Sequence, residues 1–253
     1  MTVRIEVTDG VGIVTLDDPE RRNALNQDMV RRITDAFDEF ELAGSGVAVV
    51  IVTGAPPAFC AGADLGHLGA SADDDGQGVR MIYEGFLRVA RSPLPTIAAV
   101  NGAAVGAGVN LAMCCDVRIA ARRAKFITRF LELGIHPGGG HTWMLERAIG
   151  YEATAAMVLM GEVLDGEAAE RHGLVWRCVD DDALLDTARE MAARVASAPP
   201  ELVRKVKATM HAVQHVDHHD LAVDVELEAQ VWSTKQPFFR DRLAAMQKKI
   251  TSK

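Results

Sequence analysis

Residues Val47 to Thr53, VAVVIVT, form an unbroken run dominated by β-branched side chains and closed by Gly54 and Pro56. A strand with one wet face alternates apolar and polar residues. This run does not, so it reads as a strand covered on both faces, which places helices on either side of a sheet. Thr96 to Val100 is a second such strand, stopped by Asn101-Gly102, and Asp116 to Ala121 is a third. Between them, Val105 to Cys115 is almost wholly apolar and reads as a buried helix. At the N-terminus, Val3 to Leu16 holds two β-rich runs around Asp9-Gly10, the dipeptide of a tight hairpin. Asn26 to Leu42 then sets Met29, Ile33, Phe37 and Phe40 along one helical face. After Gly138 the pattern is helical: Thr142–Ile149, Glu152–Met160, Glu167–His172, Ala183–Ala196 and Glu201–His211, with further helices around Val225–Trp232 and Phe239–Met246. The expectation is an α/β core followed by a helical C-terminal part.

A chain of 253 residues makes one large domain or two small ones and can bury a substantial core. Its 27 basic and 35 acidic side chains give a net charge of −8, which argues against a nucleic-acid or anionic-membrane partner. Ser92 to Cys115 carries no charge, yet Pro93, Pro95, Asn101, Gly102, Gly106 and Gly108 cut it into elements too short to span a bilayer. Met1 to Val7 alternates like a strand and lacks a signal-peptide core. Cys60, Cys114, Cys115 and Cys178 show no Cys-x-x-Cys spacing, so neither a zinc knuckle nor a disulfide framework is expected. These features predict a soluble, reduced, cytoplasmic protein. Gly69 to Gly78 has the composition of a loop, and no fixed-period repeat occurs.

Two glycine-rich turns stand out: Phe59 to Leu65 (FCAGADL), and Asn101 to Gly108 (NGAAVGAG) between a strand and a helix. Each alone is as consistent with tight packing as with a ligand site. The second also resembles the Gly-x-x-x-Gly-x-Gly of short-chain dehydrogenases. That reading requires a Tyr-x-x-x-Lys pair, but Leu87 lies four residues beyond Tyr83 and Ala155 four beyond Tyr151. NAD(P)-dependent hydride transfer is therefore the lesser reading.

Four segments in order, Arg22-Asn23-Ala24-Leu25-Asn26, Ala58 to Leu65, Ala98 to Asp116 (AAVNGAAVGAGVNLAMCCD) and Leu133 to Gly140 (LGIHPGGG), resemble the crotonase, or enoyl-CoA hydratase/isomerase, superfamily. The resemblance runs from about residue 3 to residue 190. It implies a crotonase-like spiral of ββα units over residues 1–196, and a helical C-terminal oligomerisation region over residues 197–253. It further implies a homotrimer or dimer of trimers acting on an acyl-CoA thioester. No separate cofactor is implied, since coenzyme A is part of the substrate. By position, Ala63 and Ala107 match the two backbone donors of an oxyanion hole, with Gly106 beside the second. Fixed N–H donors stabilise the charge that a thioester oxygen gains on enolisation, and the first turn of a helix at Ala107 adds to that effect. Arg22 and Ala24 would lie along the CoA phosphates and pantetheine, with Ala61, Asp64 and Leu65 bordering the adenine and thioester arm. Asp64 is equally placed to cap a helix, and Lys248 and Lys249 would reach a phosphate.

The resemblance breaks at the acids. Hydratases of this family hold water between two glutamates, and the matching positions here are Asn110 and Phe130, neither able to exchange a proton near neutral pH. Some isomerases place an acid just after the proline of the LGxxP stretch, where this chain has Gly138. Hydration should therefore be weak. Asn110 lies on the same helical face as Ala107 and would orient water or substrate, while Phe130 makes one wall apolar. Substitute acids or bases are sought in Glu84, Glu132, His136 and His141; strand alternation would put Glu132 on the side of Phe130. His211, His215, His218 and His219 include an i,i+4 pair, but the family needs no metal and none is expected. Two readings stay open: an acyl-CoA enzyme working by enolate stabilisation, and a non-catalytic acyl-CoA-binding protein.

Overall fold

The computed structural model describes residues 2–64, 66 and 75–251, so Leu65 and most of the Gly69–Gly78 stretch lie outside the described residues. The chain opens with β1 (Val3–Thr8) and β2 (Val11–Leu16), paired antiparallel from Val3↔Leu16 to Thr8↔Val11. Asp9 and Gly10 both take positive φ, 51° and 81°, as a turn matching the twist of its flanking strands requires. Asn26 caps α1 (Gln27–Glu41), its side chain accepting from the Met29 amide at 2.9 Å, and the helix buries Met29, Ile33, Phe37 and Phe40 as its spacing foretold.

Three strand pairs follow: β3 (Val49–Gly54) with β4 (Ala58–Cys60), β5 (Thr96–Val100) with β6 (Ala103–Val105), and β7 (Val117–Ala121) with β8 (Lys125–Ile127). After them come α2 (Gln77–Ala90), α3 (Ala107–Met113) and α4 (His141–Val158) respectively. The first strand of each pair joins one sheet and the second joins another. With β9 (Leu164–Asp165) and β10 (Arg177–Val179), the orders are β1-β2-β3-β5-β7-β10 and β4-β6-β8-β9. Pairing is parallel from β2 through β10 in the large sheet, and successive ββα units wind as a spiral. The repeat is structural and leaves no period in the sequence.

The large sheet explains its own composition. Val49, Ile51, Ile97, Ala99, Ile119 and Ala121 face Leu184, Ala188 and Ala192 of a later helix, whereas Val50, Val52, Ala98, Val100 and Ala120 face the main core with α1 and α2. Each buried Val or Ile contributes about 1.5–3 kcal/mol on either face. The charge-free Ser92–Cys115 stretch resolves into β5, β6 and α3, and no helix among the described residues is long and apolar enough to cross a membrane.

Beyond α4 come α5 (Gly166–Arg171), α6 (Leu184–Ala196), α7 (Pro200–Val213), α8 (His219–Thr234) and α9 (Pro237–Thr251). One boundary beside the glycine turns differs from the sequence reading. The helix expected over Val105–Cys115 starts at Ala107, because Ala103–Val105 is spent on pairing with β8. The two helices expected over Thr142–Met160 are both present within α4, parted at Gly150, whose φ of 78° and ψ of 167° are non-helical. Lys207 fastens α7 to the core: its buried Nζ donates to the Leu94 carbonyl at 2.8 Å and to Asp116 Oδ2 at 2.7 Å. Helix α8 buries no residue, leaving Leu221 and Leu227 exposed.

Candidate active site

The segment around Arg22 is held beside the first glycine turn by main-chain bonds. Ala61 N donates to Arg22 O at 3.0 Å, Leu25 N to Gly62 O at 2.7 Å, and Asp64 N to Leu25 O at 2.9 Å. Asn23 nails this strip down. It is wholly buried, its Nδ2 donates to the carbonyls of Ala55 and Ala58 at 2.8 Å each, and its Oδ1 accepts from Asp18 N at 2.9 Å. The second glycine turn packs against the first. A Cβ on Gly108 would collide with the Cys60 carbonyl oxygen. One on Gly62 would lie 2.8 Å from Val105 O and 3.8 Å from Ala107 N, and Gly62 also holds a φ of 99°. Glycine at both positions lets the peptides ending at Ala63 and Ala107 abut. Gly106, with φ of 50°, precedes the first residue of α3.

Both peptides line one cavity of about 190 Å³. Neither the Ala63 nor the Ala107 amide donates to any acceptor among the described residues. Ala61, Gly106, Asn110 and Phe130 line the same cavity, with Val79, Ile82, Val105, Leu133 and Ile135 as apolar wall. Ala24 is buried, Asp64 is half-buried, with its Oδ1 accepting from Gly66 N at 3.0 Å, and the Arg22 side chain is exposed. The last of these expected contacts, Leu65, lies outside the described residues.

The expected acids and bases fare differently. Asn110 was to orient water or substrate; it lines the cavity and is itself held in place, Nδ2 donating to Gly138 O at 2.9 Å and Oδ1 lying 2.7 Å from His141 Nδ1. With Nδ2 committed to a carbonyl, Oδ1 is the acceptor and His141 Nδ1 carries the proton. His141 is sealed, 1% exposed, does not line the cavity, and leaves Nε2 without a partner. Burial pushes its pKa down to about 4. Phe130 meets its ring edge-on, centroids 4.7 Å apart. His136 does line the cavity but is exposed, with Nδ1 2.6 Å from the Pro137 carbonyl.

Neither glutamate reaches the cavity. Glu84 lies on the outer side of α2, exposed and paired with Arg91 at 2.7 Å, because Ile82, Phe86 and Val89 take the inner side. Glu132 faces solvent and pairs with Arg129 at 3.5 Å; residues 129–134 form turns instead of a strand, so alternation does not apply there. Sequence reasoning placed Tyr83 beside Glu84 on the helix expected to wall the pocket, without a chemical role, and gave Asn23 none; Tyr83 lines the cavity from α2. The phase of α2 held the signal for Tyr83, which stands one turn after Val79 on the inward face. Among the described residues no three His, Cys, Asp or Glu side chains are grouped to hold a metal. Burial raises the Cys60 and Cys114 thiols to about 12, keeping both protonated.

Comparison with known proteins shows the family and the fold. The enoyl-CoA hydratase/isomerase family profile matches residues 6–240. A probable enoyl-CoA hydratase of Mycobacterium tuberculosis is 46% identical over 251 residues, covering 97% of each chain. The 1,2-epoxyphenylacetyl-CoA isomerase of Escherichia coli is 34% identical, covering 94% of this chain and 92% of its own. The crystal structure of an enoyl-CoA hydratase from Bacillus anthracis superposes with a TM-score of 0.92 at 30% identity, covering 98% of this chain and 97% of that one. The protein has the crotonase fold and belongs to the enoyl-CoA hydratase/isomerase family.

Proposed function

We propose that this protein is an acyl-CoA thioester enzyme in which the Ala63 and Ala107 amides together hold the oxygen of an enolate. The observation that carries this reading is that Ala63 and Ala107 line one cavity on packed glycine turns and that neither N–H donates to an acceptor among the described residues. Preorganised donors of this kind stabilise developing charge by a few kcal/mol each, since they need no reorientation as the charge forms. The apolar wall suits an acyl chain, and the Arg22–Ala24 strip with Ala61 and Asp64 offers a route for the CoA arm. Addition of water is disfavoured. Asn110 is committed to Gly138 and His141, Phe130 packs on His141, and no carboxylate among the described residues lines the cavity. Isomerisation or another reaction through an enolate is the better fit. The exposed apolar side chains of α8 and α9, Leu221, Leu227, Phe239 and Met246, support assembly through this region as a trimer or dimer of trimers.

The test is a panel of saturated and unsaturated acyl-CoA thioesters, assayed with wild type and Ala107→Pro. Proline is accepted at the first position of a helix, so this change deletes the amide hydrogen while sparing the fold. Turnover should fall about 10²- to 10³-fold. Tight thioester binding with no turnover on any member would select the non-catalytic alternative. Absence of both binding and turnover would overturn the reading.

A further inference from the structure

The oxygen of Tyr83 stands where a side chain on residue 138 would begin. A Cβ built on Gly138 collides with the phenol oxygen and comes within 3.0 Å of Tyr83 Cζ. The ring is steadied by Phe86, with centroids 5.6 Å apart, and Phe86 in turn fills the space over Gly139. The Gly138–Gly139 backbone is thus pressed onto α2, and it is held from the other side by the bond from Asn110 Nδ2 to Gly138 O. Tyr83 is half-buried and lines the cavity that holds the Ala63 and Ala107 amides. Its hydroxyl makes no hydrogen bond to any described residue. Among the described residues it is the sole hydroxyl lining that cavity, and no acid lines it. The other ionisable groups there are Arg129 and His136, both exposed.

We infer that Tyr83 is a catalytic residue, whose hydroxyl delivers the proton that an enolate bound at Ala63 and Ala107 takes up on its α-carbon. The inference rests on the thioester reading above. The enolate π pair forms the new Cα–H bond and the thioester C=O is restored. The Tyr83 O–H bond breaks, its electron pair stays on the phenolate, and water entering the open cavity returns a proton. In the reverse direction the phenol first gives its proton to hydroxide entering from solvent; the phenolate then takes the α-proton, the C–H pair becomes the enolate π bond, the C=O π pair moves onto the oxygen, and the phenol is regenerated.

The reverse step supplies a test that needs no knowledge of the physiological substrate. Butyryl-CoA is incubated with the full chain in D2O, loss of the α-protons is followed by NMR, and binding is measured separately by calorimetry. Wild type should exchange. Tyr83→Phe should bind butyryl-CoA within about twofold of wild type yet exchange at least about 100-fold more slowly, the usual worth of a positioned acid or base. Equal exchange by wild type and Tyr83→Phe overturns the role of Tyr83 and leaves the thioester reading standing. Binding without exchange by wild type also overturns it. If wild type neither binds nor exchanges, the thioester reading fails and this inference fails with it. A second variant keeps the geometry testable: Gly138→Ala should lower the melting temperature less in a Tyr83→Phe background than in wild type, because the phenol oxygen is the atom most in the way. Equal lowering in both backgrounds would remove the juxtaposition on which the inference stands.

Discussion

Acidification should weaken this fold through one imidazole. His141 is 1% exposed, its Nδ1–H is committed to Asn110 Oδ1 at 2.7 Å, and its Nε2 is sealed with nothing to accept a second proton. Burial therefore favours the neutral ring and pushes the folded pKa from 6.5 to about 4. In the unfolded chain the same ring takes up a proton below about 6.5. Between those values the unfolded state binds more protons than the native state, so stability falls as pH falls. Each pH unit in the window removes up to about 1.4 kcal/mol, for about 2–3 kcal/mol by pH 4.5. Above about 6.5 this contribution is flat, and below the folded value it is fully lost. Urea unfolding from pH 7.5 to 4.5 measures the slope, and His141→Asn isolates it. Asparagine keeps an N–H donor toward Asn110 and does not titrate. The variant should start about 1–3 kcal/mol less stable at pH 7.5, because the ring that meets Phe130 is gone. It should then lose less with acid, so the two curves converge. If wild type and variant run parallel across the whole range, the imidazole is not buried in neutral form, and the assignment of Nδ1 as donor to Asn110 falls with it.

Two further substitutions probe the scaffold around the cavity. Gly108→Ala puts a methyl onto the Cys60 carbonyl oxygen, which is backbone and has nowhere to go; the two glycine turns must part, and we expect a loss of about 2 kcal/mol or more in chemical unfolding, together with acyl-CoA turnover. Lys207→Met removes the cation from Leu94 O and Asp116 Oδ2. Asp116 keeps its bonds from Thr96 and is partly exposed, so the cost should be about 1–3 kcal/mol, less than for a fully buried pair, and proteolysis should loosen α7 before the sheet.

The strands of the large sheet were legible because burial on two faces abolishes alternation, and the Val47–Thr53 run could be nothing else. The strands of the small sheet were not. Ala58–Cys60, Ala103–Val105 and Lys125–Ile127 have three residues each, too few for any period to register. They are strands because the spiral brings them side by side. At the site, a positional match to relatives named Ala63 and Ala107, which line one cavity, but could not show what the surrounding side chains touch. Asn110 looked available to a substrate from its helical phase. The partner that occupies it, His141, lies 31 residues further on. Glu84 and Tyr83 are neighbours in sequence, and only the inward face of α2 separates a surface ion pair from a cavity wall.

The glycines around the cavity show why the reaction within this family is hard to read while its binding chemistry is not. Gly62, Gly108, Gly138 and Gly139 each lack a Cβ for a tertiary reason: the missing atom would meet Val105 O, Cys60 O, the Tyr83 hydroxyl or the Phe86 ring. Asn23 serves the same construction, spending its whole amide on main-chain groups of two other segments. On the proposed reading, the cradle for a thioester oxygen would be made of peptide groups positioned by packing, and it would ask nothing of the side chains that line the rest of the cavity. Those positions can change while the cradle persists. Here Asn110 holds the Gly138 carbonyl and Phe130 packs on His141, and both also line the cavity with Ala63 and Ala107. Any proton transfer must then come from a group that the same packing brings forward, and the turn that gave up its side chain at residue 138 is the one that admits a tyrosine.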